Sequence, residues 1–280
     1  MTSADAKRLS TQHSALSTRP PAPAAPVGVF DSGVGGLTVF REIARALPRQ
    51  PLIYLGDSAR VPYGTKSPEI VTRYALQAAR HLIDRGIGML VVACNTATAA
   101  ALPALQEMLS IPVIGVIEPG ARAAVAATRG RVGVIATEGT VKSKAYTKAI
   151  HAIDPSVHVV ESAAPLFVAL AEEGWANTHV AREVAEIYLE PLIDAGVDTL
   201  VLGCTHYPIL RGTIEQVVGD RMAIVDSAET TARSVAAMLP ARSTGTPLYT
   251  FLVTDAEERF RRVAGEFLGR EVERLELVSL

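Results

Sequence analysis

Leu90-Val91-Val92-Ala93-Cys94-Asn95-Thr96 and Leu200-Val201-Leu202-Gly203-Cys204-Thr205-His206 are two versions of one phrase: an apolar run that ends on a cysteine and passes into small polar residues. Neither run alternates apolar with polar. That is the pattern of a strand buried on both faces of a parallel sheet. The likeness extends to either side. Gly28-Val29-Phe30-Asp31-Ser32 is loosely echoed by Gly133-Val134-Ile135-Ala136-Thr137, and Gly115-Val116-Ile117-Glu118-Pro119 is answered by Ala223-Ile224-Val225-Asp226-Ser227. An offset of roughly 105–110 residues is far longer than a solenoid repeat, so it predicts two duplicated lobes.

Working outward, strand-like runs fall near 27–31, 51–56, 88–94, 112–117, 131–136, 157–161, 197–203 and 223–226. Amphipathic stretches such as 67–85 and 178–194 lie between them. After Arg242-Ser243-Thr244-Gly245 come one more strand, a helix around 255–268 and a strand-like 272–279. This alternation predicts an α/β fold with mostly parallel sheets. Ligands of such folds bind at the C-terminal ends of the strands. If the two lobes face each other, the two cysteine-bearing strand ends meet across one cleft.

Composition narrows the class. The chain has 280 residues, 49% hydrophobic and 20% charged, the balance of a well-packed soluble enzyme of one large or two medium domains. A net charge of −2 gives no global argument for nucleic acid or an anionic membrane. Two cysteines without a Cys-x-x-Cys exclude a disulfide framework and a zinc ribbon, and a reducing cytoplasm fits them. The uncharged stretch from Gly86 to Gln106 contains Asn95, Thr96, Thr98 and Pro103, so it reads as a buried strand running into a helix, not a membrane span. Residues 1–26, rich in Ser, Thr, Ala and Pro, carry no signal-peptide core and read as a disordered tail.

Each cysteine is expected to stand at the start of a helix, where unpaired N–H groups favour a thiolate or a substrate carboxylate. A modest downward shift of its pKa would make one thiol a usable base and leave the other able to donate. A single strand-end cysteine is more often inert packing. Two of them at matching places in a repeat reverse that reading. His206 could tune Cys204 or relay a proton, although alone it would pass as a helix-start residue bonded to backbone. Asp31 precedes Ser32-Gly33-Val34-Gly35-Gly36, which lacks the spacing of a nucleotide loop. Those glycines are expected to let backbone amides approach a small anion, with Asp31 meeting a cation or a thiol. Asp57-Ser58 and the turn Pro62-Tyr63-Gly64 could line the same cleft or serve as surface turns.

Asp31-Ser32-Gly33-Val34-Gly35-Gly36, Gly56-Asp57-Ser58, Pro62-Tyr63-Gly64, Cys94-Asn95-Thr96-Ala97 and Gly203-Cys204-Thr205-His206-Tyr207-Pro208 together resemble the glutamate racemases of the aspartate/glutamate racemase superfamily over residues 27–280. The resemblance implies two pseudo-symmetric Rossmann-like lobes, 27–117 plus 228–280 and 118–227, with the active site between them. It implies a cytoplasmic homodimer that interconverts L- and D-glutamate for peptidoglycan synthesis, with no cofactor, no pyridoxal phosphate and no metal. Cys94 and Cys204 would be the proton donor/acceptors, Asp31 assisting the first and His206 the second. Ser32, Tyr63, Gly64, Asn95, Thr96 and Thr205, with Asp31 and His206, would bind substrate. Glu172 matches a family acid near the second cysteine, in a stretch where this chain has Ala169 for the usual proline. Some members are reported to touch DNA gyrase. Arg122, Arg129, Arg131, Lys142, Lys144 and Lys148 would be candidates for such a surface, although a solvated helix face is by far the better account of them.

Three rival readings stand beside this one. An aspartate racemase or maleate isomerase could carry the same cysteine pair. A Cys/His acyl-transfer hydrolase would need only one cysteine. A two-lobed amino-acid-binding module would hold glutamate without exchanging its α-proton.

Overall fold

A computed structural model describes residues 25–239 and 248–280. The expected disordered tail, 1–26, lies outside the described residues except for Ala25 and Pro26. The chain opens with β1 (Val27–Asp31), α1 (Leu37–Ala46), β2 (Leu52–Gly56), α2 (Pro68–Asp84), β3 (Met89–Val92), α3 (Asn95–Met108) and β4 (Val113–Gly115). It continues through α4 (Ile117–Ala127), β5 (Arg131–Ala136), α5 (Glu138–Ser143), α6 (Ala145–Ile153), β6 (His158–Ala163), α7 (Leu166–Glu172), α8 (His179–Asp194), β7 (Thr199–Gly203), α9 (Arg211–Val218) and β8 (Ala223–Asp226). It returns with α10 (Ser227–Met238), β9 (Tyr249–Val253), α11 (Glu257–Leu268) and β10 (Leu275–Leu277). The strands expected from the sequence form within a few residues of their expected places, because their apolar runs are buried on both faces.

Two sheets result, and every strand pair in them is parallel. The first has the order β10-β9-β2-β1-β3-β4, the second β6-β5-β7-β8. Without its two added strands the first sheet reads β2-β1-β3-β4, the same order as the second. β1 therefore corresponds to β5, and β3 to β7, as the sequence echo requires. The returning β9 pairs with β2, so the end of the chain completes the sheet begun by its start.

Local sequence fixes where several helices start. Ser67 caps α2, its hydroxyl accepting from the Ile70 N–H, with Pro68 in the first turn. Thr178 caps α8 in the same manner. One apolar cluster runs through both lobes, joining Val39, Phe40, Phe251 and Phe267 to Leu200 and Tyr207. Helices α1 and α10 pack against each other at this junction. Among the described residues no helix is long and apolar enough to cross a membrane. Most of the basic residues considered for a partner surface have intrachain partners: Arg122 with Glu118, Lys142 with Glu138 and Lys144 with Glu161 as ion pairs, and Arg131 and Lys148 donating to carbonyls.

Candidate active site

The register of the sheets builds the site. Phe30 lies opposite Val92 in the first sheet, and two residues further along both strands Ser32 meets Cys94. The Cys94 thiol donates to Ser32 Oγ at 3.7 Å. In the second sheet Ala136 lies opposite Gly203, which brings Thr137 and Cys204 to the equivalent level. Both cysteines are free and only 6% exposed.

Their surroundings differ. Cys94 is the N-cap of α3, its sulfur accepting from the Ala97 N–H at 3.5 Å. Cys204 is followed by a turn and the short 3-10 helix Tyr207–Leu210, and α9 begins only at Arg211. The expected helix start is therefore present at Cys94 and absent at Cys204, because Pro208 and the tight 205–210 turn postpone the α-helix. At Cys204 a histidine takes that place: His206 Nδ1 lies 3.8 Å from Cys204 Sγ and Nε2 lies 3.0 Å from Glu172 Oε1.

Electrostatics correct a second expectation. Burial, reinforced by the Asp31 charge, pushes the Cys94 thiol up to about 12, against the Ala97 and Ser32 hydrogen bonds. The anticipated downward shift does not occur there, because a helix N-terminus does not outweigh full burial beside a carboxylate. Burial also raises Asp31, whose oxygens accept from the Gly33 N–H at 2.9 Å and the Thr205 hydroxyl at 3.4 Å. For His206 burial disfavours the charge. The hydrogen bonds and charges of Cys204 and Glu172 prevail, pushing it up to about 10. Burial would raise Glu172, but His206 and Arg259 hold it below the ordinary carboxylate value. At neutral pH the site thus presents a thiol on one side and an imidazolium–carboxylate pair on the other.

The glycine-rich turn is tightly packed. A Cβ on Gly35 would fall 2.4 Å from Thr205 Oγ1, and one on Gly36 would fall 2.4 Å from Asp31 Cβ. Gly35 lets the first lobe's turn close onto the Thr205–His206 loop, a contact held by Thr38 donating to the Thr205 carbonyl at 2.9 Å, while Gly36 lets the turn fold over Asp31. Across the cleft, Gly64 leaves room for Thr137, and a Cβ on Gly139 would meet the Gly64 carbonyl at 2.8 Å.

Of the sequence-named residues, Asp31, Ser32, Cys94, Asn95, Thr96, Glu172, Cys204, Thr205 and His206 converge on the facing strand ends, with Gly64 on the wall. Tyr63 is nearby, but its hydroxyl donates to Asp57 Oδ2 at 2.5 Å and its ring packs against Phe30 and Tyr74. Asp57 is itself a buried hub, also bound by Arg60 at 2.6 Å and Thr254 at 2.9 Å. Three residues were missed. Thr137 and Thr140 form a hydroxyl cluster with Thr96 at 2.9 and 3.2 Å, and Tyr146 donates to Asn95 Oδ1 at 2.8 Å. Asn95 Nδ2 is buried without a partner. The repeat could have identified Thr137, since it stands where Ser32 stands in the first half.

A profile of the Asp/Glu/Hydantoin racemase family matches residues 27–235. A glutamate racemase of Geobacter metallireducens is 57% identical over 262 residues, covering 91% of this chain and 96% of that protein. The crystal structure of glutamate racemase isoform RacE1 from Bacillus anthracis superposes with a TM-score of 0.89 at 41% identity, covering 92% of this chain and 99% of the other. A glutamate racemase from Francisella tularensis, solved with D-glutamate, gives 0.86 at 38% identity, with 92% and 98% covered.

Proposed function

The chain belongs to the Asp/Glu/Hydantoin racemase family, and from that premise we propose that it is a glutamate racemase in which Cys94 and Cys204 are the two acid/base groups and no cofactor takes part. The observation that carries the two-base reading is the equivalence of β3 and β7: in like-ordered sheets, each leads into a buried cysteine at the cleft.

Removing a proton from Cα beside an ionised carboxylate is very unfavourable in water. Pyridoxal phosphate would provide an electron sink, and it is held by a lysine Schiff base. On the reading proposed here, orientation and electrostatics take the place of that sink. The Thr96–Thr137–Thr140 hydroxyls and the free Asn95 Nδ2 are suited to substrate carboxylates, and buried Asp31 to the ammonium. An ammonium bound there would offset the charge that raises Cys94. One sulfur, as thiolate, takes the α-proton; the other, as thiol, delivers a proton to the opposite face. The product is the enantiomer, and the two sulfurs have exchanged protonation states. On this reading the enzyme supplies D-glutamate for peptidoglycan, acting in the cytoplasm as a homodimer.

Incubation with L-glutamate in D₂O, without added pyridoxal phosphate, tests the proposal. Decay of optical rotation with deuterium entering Cα is expected. Binding without loss of the α-proton would refute it. One observation favours a second reading, since the chain Cys204–His206–Glu172 has the order of a Cys-His-acid nucleophile. That hydrolase would form an acyl-enzyme detectable by mass and would not need Cys94.

A further inference from the structure

His206 is held on three sides. Cys204 and Glu172 bond its two ring nitrogens, and the Phe267 ring packs against it nearly perpendicular, with ring centroids 5.3 Å apart and planes at 81°. Phe267 is not part of the second sheet's surroundings; it belongs to α11, which packs against α1 beside the first sheet. The same helix reaches the other side of the relay. Glu172, at the end of α7, gives Oε1 to His206 and receives Arg259 Nη2 on Oε2, each at 3.0 Å. Arg259 also lies 3.5 Å from Glu173.

We propose that Arg259 is a positioning residue for the Cys204 half of the reaction: from the first lobe it grips Glu172, and through Glu172 it fixes His206 against Cys204. This rests on the two-base reading above. A carboxylate bonded through one oxygen can turn toward solvent, and Glu172 is 19% exposed. Bonded through both oxygens to two cations, it is locked, and the imidazole ring is locked with it. The link runs from helix α11 to the second lobe, so the acid/base group is aligned only in this arrangement of the lobes. Racemase turnover thereby becomes coupled to lobe position through one ion pair. The charged groups around Glu172 are His206 from the turn after β7, Arg259 from α11 and Glu173 on its own segment. Glu266 of α11 faces the adjoining Gly174.

Glu172 must be ionised to hold His206, so activity falls as pH drops through its titration. Arg259 helps hold that titration low. Arg259→Met should therefore lower kcat/KM for glutamate about five-fold at neutral pH, on the scale of a half-exposed ion pair, and move the acid limb of the pH profile up by about half a unit. Arg259→Lys should restore most of both. Arg262→Met, which removes a charge from the exposed face of the same helix, should change neither. The effect on kcat/KM must be equal for L- and D-glutamate, since enantiomers are in equilibrium at unity, whereas kcat need not change equally in the two directions. An unmoved acid limb in Arg259→Met, with wild-type kcat/KM or with only a lowered Tm, would overturn the proposal. So would an equal effect in Arg262→Met, or no rescue by lysine. A wild-type enzyme that left the α-proton in place would overturn the racemase reading itself, and this one with it.

Discussion

Replacing Gly35 with alanine adds one methyl group at the point where the first lobe's turn meets the second lobe's Thr205–His206 loop. The new Cβ would lie 2.4 Å from Thr205 Oγ1, 2.5 Å from His206 Nδ1 and 2.6 Å from His206 Cε1. Ordinary contacts begin near 3.4 Å, so both side chains would have to withdraw by roughly 1 Å, or the lobes separate by that amount. Neither side chain is free to yield. Thr205 is tied to Asp31 through its hydroxyl and to Thr38 through its carbonyl, while His206 sits between Cys204, Glu172 and Phe267. Gly35 has no positive φ, so alanine adds no backbone strain and the effect is steric alone. Overpacking of this kind costs about 1–3 kcal/mol. A 1 Å misplacement of a reacting group costs on the order of 100-fold in rate. The expected result is a loss of about two orders of magnitude in kcat/KM for glutamate, followed by circular dichroism of the amino acid, with a fall of several degrees in Tm. Wild-type turnover with unchanged Tm would show that the two loops are not in contact in solution. A lowered Tm with intact turnover would show that they touch but that Thr205 and His206 are not part of the machinery.

Other perturbations probe the same assignment. Cys94→Ser and Cys204→Ser should each reduce racemisation by about 1,000-fold or more, since positioned acid/base groups contribute 10²–10⁴; near-normal turnover by either, measured by polarimetry, would contradict the two-base reading. Tyr146→Phe leaves Asn95 Oδ1 without its buried donor, so KM for glutamate should rise about ten-fold with a smaller change in kcat in steady-state assays. Because folding raises His206 from 6.5 to about 10, its stabilisation is full below about pH 6.5 and is lost as pH rises through 10. Thermal melts should therefore show Tm falling from pH 7 to 10, with a flatter profile and a lower neutral-pH Tm in His206→Asn.

The architecture was legible from the residues alone, because a strand buried on both faces must be apolar throughout and such runs are visible one by one. The echo between Leu90–Thr96 and Leu200–His206 also determined that the two cysteines occupy corresponding places, since a duplicated strand order repeats the position as well as the residue. The echo could not show what surrounds each sulfur. Thr137, Tyr146, Phe267 and Arg259 are remote in the chain from the residues they support, and only lobe packing brings them there. Protonation was equally hidden. The same local pattern, a cysteine after a buried strand, gives a thiol pushed up to about 12 at Cys94, where burial adds to the nearby Asp31. At Cys204 it gives a sulfur facing a charged histidine, because Glu172 and Arg259 arrive from other elements. A charge's energy depends on depth and on every neighbour in space, and those are settled by the tertiary structure alone.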